Sequence, residues 1–154
     1  MKIENLFNKK IKRIDNFIFF NKDSTHRKQQ QTNDIFSDKW EKVEEMEKVG
    51  EMEDFQFKWY LELYGFKNEE ELKVFLQSKK VIFDAGCGLG YKAAWFAKLA
   101  PNSVVIGMDF SEAAKIASNR YKDIPNLYFV QGDIADTKIN SGVVDYVSCD
   151  QVIM

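Results

Sequence analysis

Cysteine and histidine are nearly missing from this 154-residue sequence: Cys87, Cys149 and His26 are all it holds. That excludes a disulfide scaffold and a zinc site built from cysteine and histidine alone within one chain. It also excludes a catalytic centre that needs several histidines. Net charge is equally scarce, since 22 Lys and Arg against 24 Asp and Glu leave −2. Recognition of nucleic acid through bulk positive charge is therefore disfavoured. No apolar run approaches the ~18 residues of a membrane-spanning helix. The basic, partly apolar N-terminus lacks the apolar core and small-residue cleavage site of a secretory signal, so a cytoplasmic protein is expected. What is present suffices for a core: 45% of residues are hydrophobic and 14% aromatic, in a chain the length of one domain or one domain with an appendage.

Charge is unevenly placed. Residues 1–30 carry eight basic and three acidic side chains, whereas residues 34–54 carry nine acidic and three basic. Two solvated faces are the plain expectation; an arm that folds on the acidic segment or reaches an anionic partner is the sharper one. The stretch 21–33 (NKDSTHRKQQQTN) is polar without periodicity and reads as a linker. Met52, Phe55, Trp59, Tyr60 and Leu63 fall on one side of a helix, and Gly65 stands where a C-terminal cap belongs. Asn68 followed by Glu71 resembles a capping box before a short helix with Leu72, Phe75 and Leu76 inward. The resulting division is residues 1–50 as basic arm, polar linker and acidic helical segment, and residues 51–154 as the main domain.

From Val81 the pattern changes. Val81-Ile82-Phe83 and Val104-Val105-Ile106 are short continuous apolar runs, Leu127–Val130 reads as a third strand and Val143–Ser148 as a fourth. Between them lie an Ala-rich helical stretch from Tyr91 stopped by Pro101, and a second from the N-cap candidate Ser111 to about Tyr121. Doubly buried strands alternating with helices predict an α/β fold, a Rossmann-like parallel sheet with helices on both faces.

Between the first strand and its helix stands Asp84-Ala-Gly86-Cys87-Gly88-Leu-Gly90. Glycine permits the sharp turn at positive φ, bare backbone lets a ligand approach, and the helix N-terminus offers N–H groups to negative charge. Such a cradle sits at the carboxyl edge of an open sheet, where these folds bind ligands. Gly88-Leu-Gly90-Tyr-Lys-Ala93 formally satisfies the dinucleotide fingerprint. The acid before alternate glycines instead resembles motif I of the class I S-adenosylmethionine-dependent methyltransferases, in the version found in methyltransferases of ubiquinone and menaquinone precursors. The resemblance runs from about Phe55 to the last residue.

Two further strand-end acids extend it. Asp84, Asp109 and Asp133 are spaced by 25 and 24 residues, one βα unit apart each time. The resemblance implies S-adenosylmethionine as cofactor. Asp109 would take the ribose diol, a carboxylate having two acceptor oxygens for two hydroxyl donors, with Phe110 beside the adenine. Asp133 would take the adenine amino group and Ile134 the ring. Asp84 and the Gly86 carbonyl would lie toward the methionine ammonium, with Cys87, Gly88 and Gly90 completing the loop; bracing of that loop by Asp84 is the alternative. Asp150 and Gln151, past the fourth strand, would line the methyl-donor channel. No catalytic residue is assigned, and both cysteines are expected to fill tight spaces.

The family sheet has strand order 3-2-1-4-5-7-6, whereas this sequence supplies strands only through the fourth. The expectation is thus a sheet of order 3-2-1-4 with a helical N-terminal extension. It is the cofactor half of an enzyme acting on a small-molecule acceptor, with self-association through the edge of strand four. The alternatives are an NAD-binding oxidoreductase fragment, which Asp133 counts against, and a catalytically inactive methyltransferase-like module.

Overall fold

The computed structural model describes residues 1–20 and 49–150. The polar linker, most of the acidic segment, the side chain of Met52, and Gln151 lie outside the described residues. A 3-10 turn at Ile3–Leu6 leads into strands β1 (Lys12–Ile14) and β2 (Phe17–Phe19). Helices α1 (Val49–Tyr64) and α2 (Glu69–Gln77) precede β3 (Val81–Ala85), α3 (Tyr91–Leu99), β4 (Val104–Asp109), α4 (Ala113–Arg120), β5 (Leu127–Gln131) and β6 (Tyr146–Ser148).

The sheet order is β1-β2-β5-β4-β3-β6. Its inner part, β5-β4-β3-β6, is all parallel and is the 3-2-1-4 arrangement expected. Two features differ from expectation. Residues 12–19, expected to be an arm outside the sheet, form an antiparallel hairpin whose β2 pairs in parallel with β5. Asn16 in the hairpin turn secures it, accepting from Ser118 Oγ at 2.6 Å and from the Phe129 N–H through its carbonyl at 2.9 Å. The second difference concerns the layers. All four described α-helices pack on one face, over Ile82, Val105, Leu127 and Phe129. The other face, with Phe83, Ile106, Met108 and Val130, is covered by Ile3, Leu6 and Phe7 and by Ile134, Ile139, Val143 and Val144. The 3-10 turn covers that face with Ile3 and Leu6, and Phe7 follows, all three almost wholly buried.

The stripe that α1 buries is the expected one only in part, since Tyr60 is buried as expected. Phe55 and Leu63 are exposed at 69% and 54%, whereas Phe57, Tyr60 and Leu61 face the core. Ring packing on α3 decides the rotation: Phe57 stacks on Trp95 at 4.3 Å and Tyr60 meets Phe96 edge-on at 5.4 Å. The α2 cap is as expected, with Asn68 Oδ1 accepting from the Glu71 N–H at 2.9 Å. Strand β6 is shorter than the expected strand Val143–Ser148. It starts only after Asp145, whose carboxylate accepts from the N–H groups of Lys80 and Val81 at 2.8 and 2.9 Å. Val143 and Val144 therefore pack under the sheet, and the exposed edge reduces to Val147 and its neighbours.

Candidate active site

The period-2 alternation of strands places the chemistry on the helix-covered face. Asp84 follows Ile82 by two positions, Asp109 follows Val105 by four, and Ser148 and Asp150 follow Tyr146 in the same phase. The register sets Asp84 opposite Ser148 on one side and Gly107 on the other.

The glycine loop is tightly specified. Gly86, Gly88 and Gly90 all have positive φ, at 71°, 53° and 80°. The N–H groups of Gly86 and Cys87 both donate to the Met108 carbonyl, at 2.8 and 2.9 Å. A Cβ on Gly90 would lie 2.6 Å from the Phe129 ring and 2.9 Å from Ala117, so here glycine also permits close packing of α3 on the sheet. Cys87 fills a tight space beneath the loop: a Cβ on Gly107 would come within 3.1 Å of its sulfur. Burial pushes the Cys87 thiol well up, with Asp109 and Asp84 adding to it. Cys149 does not share that setting; it is exposed, contrary to the packing expectation, because it falls past the end of β6.

Asp109 braces the loop. Its Oδ2 accepts from the Gly88 N–H at 3.0 Å, and its Oδ1 accepts from the N–H and hydroxyl of Ser111 at 2.9 and 2.7 Å. Of roughly four lone-pair positions on a carboxylate, three are thereby used. Asp84, the residue considered for bracing, bonds no backbone N–H. It is wholly buried, and neither carboxylate oxygen has a hydrogen-bond partner. Its charged neighbour is Lys92 on α3, whose Nζ lies 3.1 Å from Oδ1. Burial pushes the Asp84 carboxyl up, against the downward pull of that ammonium.

Asp133 lies past β5, half-buried, with Oδ1 accepting from the Ala135 N–H at 2.8 Å. Phe110 and Ile134 are half-buried as well, and Ile134 packs under the sheet. Asp150 comes to the Asp84 side, where it ion-pairs with Lys92 and accepts from the Tyr64 hydroxyl. Around this trio stand Tyr60, Tyr146 and Ser148, with the Tyr60 and Tyr146 hydroxyls bonded to each other. The hydrogen bond to Asp150, then burial, pushes Tyr64 up to about 12. Sequence reasoning missed Lys92 and the tyrosines. Their partners are far away in the chain, Lys92 and Asp150 being separated by 58 residues and Tyr64 and Asp150 by 86.

A sheet whose inner parallel strands bring strand-end acids and a glycine loop to one carboxyl edge defines a Rossmann-like arrangement. Comparison with known proteins narrows it. Residues 82–154 match the family described as a methyltransferase domain. Trans-aconitate 2-methyltransferase of Deinococcus radiodurans is 42% identical over 55 residues, which is 36% of this chain and 21% of that protein. Magnesium protoporphyrin IX methyltransferase of Synechocystis PCC 6803 superposes in two crystal structures. With bound SAM the TM-score is 0.51 at 18% identity, covering 83% of this chain and 64% of that one. With bound SAH it is 0.51 at 20% identity, covering 79% and 57%. The chain thus spans about a fifth of the length of the curated relative it matches. Residues 82–154 are thus similar to a methyltransferase domain, and the fold is the one these methyltransferase structures share.

Proposed function

We propose that this chain is the cofactor-binding part of an S-adenosylmethionine-dependent methyltransferase that acts on a small-molecule acceptor. One observation carries the reading: a wholly buried carboxylate without hydrogen bonds, Asp84, closes the strand that enters a loop of three left-handed glycines. Its ion-pair partner Lys92, 3.1 Å from Oδ1, is shared with Asp150, so Asp84 keeps acceptor capacity that a ligand ammonium would take up. The residues present therefore fit the cofactor. Asp84 and the Gly86 carbonyl would hold its ammonium, and Gly88 and Gly90 would border its amino-acid end, with Cys87 beneath. Asp109 would take the ribose with its remaining acceptor position and a second one released by Ser111. Phe110, Asp133 and Ile134 would enclose the adenine, and Asp150 with Gln151 would face the donor side.

The bound cofactor supplies an electrophilic sulfonium methyl. This chain's contribution is to bind and orient it, which suffices for much of the rate in such transfers. The methyltransferase-domain match favours this reading over a nicotinamide cofactor. Self-association through the β6 edge is part of the proposal, with Val147 at 55% exposure in a strand that pairs with β3 alone among the described residues. So is a cytoplasmic location; among the described residues no helix is long and apolar enough to cross a membrane. Calorimetry of this chain with S-adenosylhomocysteine and with NAD tests the reading. Binding of the first and not the second is expected, and the reverse would replace it with the oxidoreductase alternative. A tritiated-methyl assay then separates an active enzyme from a binding module, and sedimentation reads the self-association.

A further inference from the structure

Two carboxylates meet one ammonium at the carboxyl ends of β3 and β6. The Asp84, Lys92 and Asp150 side chains are 0%, 15% and 10% exposed, so water screens them little. Among the described residues, the ion pairs made by Asp84 and by Asp150 both run to Lys92. We propose that Lys92 is a built-in counter-ion that lets these two strand-end carboxylates share one buried pocket. The single negative charge left over then serves a primary ammonium on the bound ligand. The identity of that ligand rests on the methyl-donor reading; the role of Lys92 does not.

Two like charges at close range disfavour each other's ionised form, and a cation between them restores it. Lys92 occupies that place from the first turn of α3, two residues after the glycine loop, so one helix fixes both the loop and the counter-ion. The two acids are not equivalent. Asp150 is bonded by Lys92, by the Tyr64 hydroxyl and, at 3.4 Å, by Ser148 Oγ. Asp84 has the ion pair with Lys92 and no hydrogen bond. The unspent acceptor capacity therefore lies on Asp84. Among the described residues, the other elements packed on the trio contribute neutral or negative groups: Tyr60 and Tyr64 from α1, Tyr146 from β6, Cys87 from the loop and Asp109 from β4. Burial alone would lower the Lys92 ammonium, but the two carboxylates outweigh it and hold it above the ordinary lysine range. Lys92 is thus a positioning residue that acts through Asp84.

Carbon-13 NMR titration of the aspartate carboxyls tests this in the ligand-free chain, with the Asp84 signal assigned by its loss in Asp84→Asn. In Lys92→Met the Asp84 midpoint should rise by about one pH unit or more. Lys92→Arg should hold it near the original value. Asp150→Asn should lower it, since Lys92 then serves Asp84 alone. An unmoved midpoint in Lys92→Met, or a rise in Asp150→Asn, overturns the proposal, and the second variant decides if the first does not fold. Calorimetry with S-adenosylhomocysteine in buffers of different ionisation heat gives the ligand arm. Lys92→Met should release more protons on binding than the unsubstituted chain, and equal release overturns the charge argument. If the unsubstituted chain binds no S-adenosylhomocysteine, the methyl-donor reading fails while the carboxyl titration still decides the role of Lys92.

Discussion

Strand β3 has an aspartate at each end, and the two are treated in opposite ways. At the amino end, exposed Asp145 accepts from the N–H groups of Lys80 and Val81, which hold its carboxyl below the usual range. At the carboxyl end, Asp84 is buried without a hydrogen bond and its carboxyl is pushed up. One end spends its acid on closing the fold; the other keeps an acid in a condition that costs stability and leaves binding capacity unspent. Such local conflict with folding marks a functional end rather than a structural one.

Gly90→Ala should be the most damaging change at the carboxyl end. The new Cβ meets the Phe129 ring and must adopt a left-handed conformation. Overpacking and backbone strain together predict a loss of about 2–4 kcal/mol, read as a lowered denaturant midpoint. Asp109→Ala comes next, with a loss of about 1.5–3 kcal/mol in S-adenosylhomocysteine affinity, or about tenfold to a hundredfold in Kd by calorimetry. Because Asp109 also holds the Gly88 N–H, amide exchange at the loop should quicken in the same variant. Unchanged affinity would remove its ribose role.

Asp84→Asn should sharpen the contrast between the two ends. It removes a buried charge, so stability near neutral pH should hold or rise while affinity falls by about tenfold. A destabilised variant with normal affinity would make Asp84 a structural acid like Asp145. The smallest effect is that of Asp145→Asn, and its sign with pH is opposite. A depressed carboxyl contributes stability that is present above the unfolded value of about 3.9 and is lost as pH falls through the folded value. The raised Asp84 carboxyl works the other way: stability declines as pH rises from about 3.9 through its folded value. Thermal unfolding from acid to neutral pH should therefore flatten on the acid side in Asp145→Asn and on the higher-pH side in Asp84→Asn.

Strands β3, β4 and β5 were legible because each is a mostly apolar run with an acid at or within two residues of its end, a pattern that suits a doubly covered parallel strand. The glycine loop and the three acids followed from that phase. The hairpin at 12–19 was not read, although its signal was present. Lys12-Arg13-Ile14 and Phe17-Ile18-Phe19 flank a two-residue Asp15-Asn16 turn, with Asp15 at φ 52°; the basic composition of the arm obscured it. The side of α1 that faces inward was settled by ring packing on Trp95 and Phe96, which periodicity within one helix does not contain. Lys92 was illegible for a plainer reason. Its meaning lies in Asp84 and Asp150, which only the β3–β6 pairing brings together.

The hairpin that borders β5 also has a consequence for how the chain assembles. Asn16 is tied to the carbonyl of Tyr121, 105 residues further along, and β2 gains its parallel partner only once β5 is in place. Contacts of such long sequence separation slow folding, because the intervening loop must close before any pairing rewards it. During synthesis at about 5–20 residues per second, the apolar strand Phe17-Ile18-Phe19 waits several seconds without its mate. Folding of this domain is thus expected to finish with its earliest strands, and a chaperone-free translation should show that segment protease-sensitive until residues beyond Gln131 have emerged.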